Sequence, residues 1–280
     1  MDVFSLSLFV YLVGVGAASG LVYSDKSLKV ISDDSDVLYT YNMDGNNIDK
    51  LSLHPSGELL EKRAKPEKSD FEAITSYQDT YYIFGSGSDK NRNSLIKVAG
   101  ESNEVTQESL IPLYQDLRRA AEISEEDFNI EGAIIHKGDL LLFNRGNGPN
   151  QKNGVFFIAD FLNSTSSYNI SYQQIDLPGI HGVPFGFTDA ILEEDKIYFL
   201  AAAEAGESTY QDGQVLGSLI GKIDLKTMQL ESSMQITNRY KFEGITVFEK
   251  TEENTTFLLC EDLDDGGQET KIFKLVLPRF

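Results

Sequence analysis

"GVGAASGLVY", residues 14–23, decides how the chain is read, because it separates a greasy N-terminal run from the first polar turn. A cleaved export signal ends in small residues of this kind. A strand entering a closely packed sheet also begins on small residues. The run before it, "VFSLSLFVYLV", holds no Lys or Arg and follows Asp2, the wrong charge for an export signal. The run is therefore expected to be a strand of the fold. Location in the cytoplasm follows as the expectation, with export to the periplasm or outside as the alternative.

From Ser19 outward the chain repeats itself. "SGLVY" at Ser19, "EAITSY" at Glu72, "EGAIIH" at Glu131, "DAILEE" at Asp189 and "EGITVF" at Glu243 follow one another at intervals of 53, 59, 58 and 54 residues. A period of that size suits one four-stranded blade of a β-propeller. Within each unit a second apolar strand follows, as in "TYYIFG", "DLLLFN" and "KIYFLAA". These runs are continuously apolar where a half-exposed strand would alternate, so both of their faces are expected to be covered. A third strand follows in every unit and a more polar fourth in the first four units.

The fifth unit stops one strand short at Phe280. "VFSLSLFVYLV" can supply the missing outer strand and close the ring, leaving no exposed edge between the chain ends. The expected fold is all-β: one domain over 1–280, a five-bladed propeller with blade starts near 19, 72, 131, 189 and 243. Residues 1–13 are then the closing strand of the last blade. Six blades are the alternative, should the helix-like insert at 112–124 or the Gly-rich stretches at 145–154 and 204–218 conceal another unit.

Bulk composition sets outer limits. The 280 residues are 41% hydrophobic, enough for a large core, and carry a formal charge of −20. That acidity excludes nucleic acid, whose phosphates need a basic footprint, and argues against anionic membrane surfaces. Small-molecule or glycan ligands stay open. The single cysteine, Cys260, cannot form an internal disulfide.

Four of the five unit starts are acidic: Glu72, Glu131, Asp189 and Glu243. Two carboxylates about 6 Å apart repel by roughly 3 kcal/mol at an effective dielectric near 20, so four around one axis need compensation. Structural pegs, protonation, or a hard cation such as calcium would each supply it. A polar turn ends each second strand, and connectivity suggests that these turns lie away from the unit starts. Arg92 and Arg145 stand out among them, fit either to hold an anionic ligand group or to neutralise Glu72 and Glu131. Asn147, Glu204 and Asp262 share those turns, and His181 in "LPGIHGVPFGF" is a reserve general base.

With "FEAI", "GSGSDKNR", "NIEGA", "LLFNRGNG", "GFTDA", "AAAEAGESTYQDGQVLGSLIG", "KFEGI" and "CEDLDD" laid out, the chain resembles an uncharacterised bacterial β-propeller family related to esterase-like phytases. More distantly it is similar to calcium-dependent lactonase propellers. That likeness implies Glu72, Glu131, Asp189 and Glu243 as calcium ligands, although Ser19 stands where the first unit would need an acid. The function expected is calcium-assisted hydrolysis of an ester, lactone or phosphoester at the channel. The alternative is a non-catalytic module that binds a small ligand, glycan or protein.

Overall fold

The computed structural model describes residues 4–164, 167–205, 213–263 and 266–278. Five four-stranded antiparallel sheets surround an axis, with each blade's first strand innermost. Blade one is Ala18–Ser24, Ser27–Ser32, Val37–Asn42 and Asn47–Ser52. Blade two is Phe71–Tyr77, Thr80–Gly85, Ser94–Ala99 and Val105–Ser109. Blade three is Ile130–His136, Asp139–Asn144, Gly154–Ala159 and Asn169–Gln174. Blade four is Gly186–Glu193, Lys196–Ala205, Gln214–Asp224 and Leu230–Thr237. Blade five is Lys241–Lys250, Asn254–Asp262 and Glu269–Pro278, completed on its outside by Ser5–Val13. No sixth blade is present among the described residues, and none of their helices is long and apolar enough to cross a membrane.

The closing strand runs antiparallel to Glu269–Pro278, from Ser5 opposite Val276 to Val13 opposite Glu269. The ladder ends where Gly14 donates its N–H to the Gln268 carbonyl at 2.7 Å. Gly14 has φ +91°, a backbone turn that a residue with a Cβ rarely adopts, and it swings the chain into blade one. "GVGAASGLVY" is thus the corner joining the last blade to the first.

Continuous apolarity in the second strands has a direct cause: each interface between neighbouring blades is a core. In "DLLLF", Leu140 and Leu142 face the core shared with blade two, while Leu141 and Phe143 face the core shared with blade four. "TFLLC" divides likewise, with Phe257 and Leu259 toward blade four and Leu258 and Cys260 toward blade one. Helix Ile111–Ala121 is more than a connector. Leu113, Tyr114 and Leu117 are buried in the interface between blades two and three, and the Tyr114 hydroxyl donates to the Gly85 carbonyl at 2.7 Å.

Close approach at the hub requires small residues. A Cβ on Gly244 would lie 2.6 Å from Leu21 Cδ2 and 2.9 Å from Gly20 Cα, so blade five can meet blade one only through a glycine. Closure itself is apolar. Leu12 is 1% exposed and shares a core with Leu21, Leu28 and Ile272. Leu12→Ala should therefore lower the unfolding free energy by about 2–5 kcal/mol, read from denaturant midpoints at unchanged m-value.

Candidate functional site

Every innermost strand carries the same irregularity near its start. The ladder to the second strand skips one residue: Ser19, Glu72, Glu131, Thr188 and Glu243 in blades one to five. A β-bulge leaves the extra residue unpaired and re-aims its side chain. Here Ser19, Glu72, Glu131 and Glu243 turn into a polar cavity of about 160 Å³ at the channel mouth.

Blade four corrects the alignment drawn from sequence. Its bulge residue is Thr188, and Asp189 takes the next position, where the other blades have Gly20, Ala73, Gly132 and Gly244. Asp189 is buried away from the cavity lining, and its carboxylate accepts the N–H groups of Ala190 at 2.7 Å and Ile245 at 2.8 Å. It fastens blade four to blade five. The Thr188 hydroxyl adds a bond to the Phe242 carbonyl at 2.7 Å, and Ser19 likewise donates to Phe71 of blade two.

The polar turns lie at the same end as the bulges, contrary to the sequence expectation. Antiparallel pairing sets Ile130 opposite Asn144 and Lys241 opposite Asp262, so each second strand ends where the first begins. Arg145, Asn147, Glu204, Asp262 and Arg92 consequently line the same cavity as the three glutamates. His181 does not; it is exposed at the tip of the hairpin formed by Gly179–Ile180 and Val183–Pro184.

Charge is concentrated in blades two, three and five. Glu72, Glu131 and Glu243 each place a carboxylate oxygen within 4.8 Å of the other two. At that separation each ionised pair repels by about 3.5 kcal/mol at an effective dielectric of 20. Arg145 relieves part of this. It donates from Nη1 to Glu131 Oε1 at 3.2 Å, pairs through Nη2 with Glu204, and lies 3.7 Å from Glu243. Its stem crosses blade four at Gly186, where a Cβ would stand 2.9 Å from Arg145 Cγ. Lys241 contributes from blade five, 3.0 Å from Glu243 and 3.6 Å from both Glu204 and Asp262. Arg92 is committed to Asp70 at 2.7 Å, not to Glu72.

Compensation is incomplete. Glu131 Oε1 accepts from Asn129 Nδ2 at 2.6 Å, but Glu131 Oε2 and Glu72 Oε2 are buried without a hydrogen-bond partner. Burial, opposed by Arg145, pushes the Glu131 carboxyl up to about 8. Burial and the Glu131 charge raise Glu72 well above the ordinary carboxyl range. Asp33, which pairs with Lys68 at 2.8 Å, is raised by burial to about 7.

Sequence reading missed Asp70, Asn129 and Lys241, and their signal was available. Each stands two residues before a bulge residue, as do Ala17 and Gly186, and all five line the cavity. Alternate residues of a strand share a face, so "DFE", "NIE" and "KFE" each present two polar groups to one site. Asp33 and Lys68 arrive from loops and carry no such periodic mark.

The raised carboxyls make stability depend on pH. An ordinary Glu releases its proton near 4.5, whereas folded Glu131 holds it to about 8, so the folded state binds more protons across that interval. The associated stability is complete below about pH 4.5 and is lost as pH rises through about 8. In chelator, the melting temperature should fall from pH 5 to pH 8, and Glu131→Gln should flatten that slope.

The fold has many relatives of low sequence identity. The glutaminyl cyclase of Myxococcus xanthus superimposes with a TM-score of 0.53 at 12% identity, over 98% of this chain and 97% of that one. An exo-1,5-alpha-L-arabinanase from a bovine ruminal metagenomic library gives 0.51 at 10% identity, over 95% and 97%. The major Malassezia sympodialis allergen Mala s 1 gives 0.55 at 8% identity, over 96% of each chain. At these identities the likeness shows the propeller fold alone. No curated protein sequence matches. Residues 14–277 match one family along nearly their whole length, and the chain belongs to the family of unknown function DUF6929.

Proposed function

We propose that the channel-mouth cavity is a hydrolytic centre in which Glu72, Glu131 and Glu243 hold a hard divalent cation, calcium by ligand type. The observation that carries this reading is the pair of buried, partnerless oxygens, Glu72 Oε2 and Glu131 Oε2, in a set of three carboxylates within 4.8 Å of one another. Oxygen-only donors suit calcium, and a cation removes both the repulsion and the unmet hydrogen bonding. When bound, the ion supplies Lewis acidity toward a substrate oxygen. Glu131 is held by Asn129 and Arg145, so its free oxygen is fixed in direction.

The lining also bears on the substrate. The side chains at the mouth include seven carboxylates and five basic groups, and Arg92 and Arg145 are both committed to acids. An anionic phosphoester would therefore meet no disengaged guanidinium, and a neutral ester or lactone fits better. The partnerless side-chain oxygens of Asp33, Glu72 and Glu131 accept hydrogen bonds whenever their carboxyls are ionised, and the Asn147 amide oxygen does so at any pH, so a substrate rich in hydroxyl donors is favoured. An arabinanase among the structural neighbours supports hydrolytic chemistry on such a scaffold and adds glycosides to the classes worth assaying.

Calorimetric titration of the metal-free protein with calcium, magnesium and manganese tests the reading first. One site is expected for calcium, weakened at least ~30-fold, or about 2 kcal/mol, by Glu72→Gln or Glu131→Gln. Asp189→Ala should cost about 1–3 kcal/mol of stability by orphaning the Ile245 N–H, while leaving calcium affinity unchanged. Panels of lactones, aryl esters and aryl glycosides then report turnover with and without chelator. Absence of calcium binding, or hydrolysis indifferent to chelator, would remove the cation from the proposal. Retention of a ligand without turnover would favour the binding-module alternative.

A further inference from the structure

The outer edge of blade five has a character unlike the other rims. Seven large hydrophobic residues are exposed among the described residues, and four of them lie on the closing strand: Leu8 at 44%, Phe9 at 38%, Tyr11 at 51% and Val13 at 69%. The sequence from Val3 to Ser24 contains no charged residue. Outermost strands elsewhere are defended by charge, with Asp49 and Lys50 in blade one, Glu108 in blade two and Glu231 in blade four. Blade three ends on the polar strand Asn169–Gln174. An uncharged apolar edge with an open backbone ladder is a template for pairing with another strand.

We propose that this edge is a homodimer interface, Ser5–Val13 of one copy lying antiparallel to Ser5–Val13 of a second across a two-fold axis. Such a contact is isologous, and an antiparallel ladder lets identical strands satisfy each other's open N–H and C=O groups. Electrostatics selects the same place. Two chains of charge −20 repel over most of their surfaces, but the closing strand is neutral. Its ladder neighbour carries Lys271 and Lys274, the latter 5.6 Å from the centre of the Phe248 ring, which in turn packs on Phe9. The rim of blade five is thus where two acidic copies can meet with little opposition. A nine-residue strand spans about 30 Å, enough to join two blades into one continuous eight-stranded sheet.

Sedimentation equilibrium of the full chain between about 1 and 100 µM tests the proposal. A mass rising toward twice 31.2 kDa is expected. Tyr11→Lys and Val13→Lys alter exposed side chains, so the far-UV spectrum should persist while self-association weakens at least tenfold. Phe157→Lys, which changes an exposed residue on blade three, should leave association as it is. Phe9→Cys, at the centre of Ser5–Val13 where the two-fold axis sets residue 9 opposite its own copy, should form a cross-link between two copies on oxidation. A wild-type chain that stays monomeric at 100 µM overturns the proposal, as does association that neither lysine variant weakens. A foreign strand occupying the edge would show as the first of these results.

Discussion

One surplus residue in each innermost strand underlies the whole channel mouth. A regular ladder would alternate side chains between the two blade interfaces and aim none of them along the axis. The bulge breaks that alternation once per blade, at the same height, and converts five equivalent positions into a ring. What each blade does with its position differs. Blades one and four place hydroxyls there, which tie each blade to the next through a backbone carbonyl. Blades two, three and five place glutamates there, and those three bring their carboxylates within 4.8 Å of one another.

Electrostatic tension follows from this division. Carboxylates brought into a poorly solvated hub cannot all remain charged without counter-charge. Arg145 and Lys241 provide some of it by bridging blades: Arg145 from blade three reaches carboxylates of blades four and five, and Lys241 faces Glu204 across the interface of blades four and five. Both cations approach Glu243, and Arg145 also holds one oxygen of Glu131. Arg92 and Lys68 of the same lining are paired with Asp70 and Asp33, and Glu72 Oε2 and Glu131 Oε2 are left without a hydrogen-bond partner. The mouth therefore keeps these two buried carboxyl oxygens unmatched amid several paired charges.

The architecture was legible because its determinants are local and repeated. The period, the doubly covered second strands and the missing fifth outer strand all follow from burial on two faces, which leaves a mark in every unit. Site geometry was legible only in part. Glu72, Glu131 and Glu243 could be found by repetition, whereas Asp189 mimicked their pattern while sitting one residue out of step. Sequence spacing alone does not say which residue of "FTDA" bulges; that depends on where the ladder to Lys196–Ala205 slips. Asp33 and Lys68 come from non-repeating loops, and the loop stretch 206–212 and residues 264–265 of "EDLDDGG" lie outside the described residues.

Ring closure by a non-covalent strand has a further consequence. The hub brings together groups from blades two, three and five, and the seam between chain ends lies inside blade five, which supplies Glu243 and Lys241. Any occupant that binds across those blades resists their separation, so it raises the free energy needed to peel Ser5–Val13 from the rim. Linkage makes the relation mutual: whatever holds the rim strand in place also favours the assembled hub. Hub and rim thereby share one reservoir of free energy, although they stand at opposite edges of the same sheet.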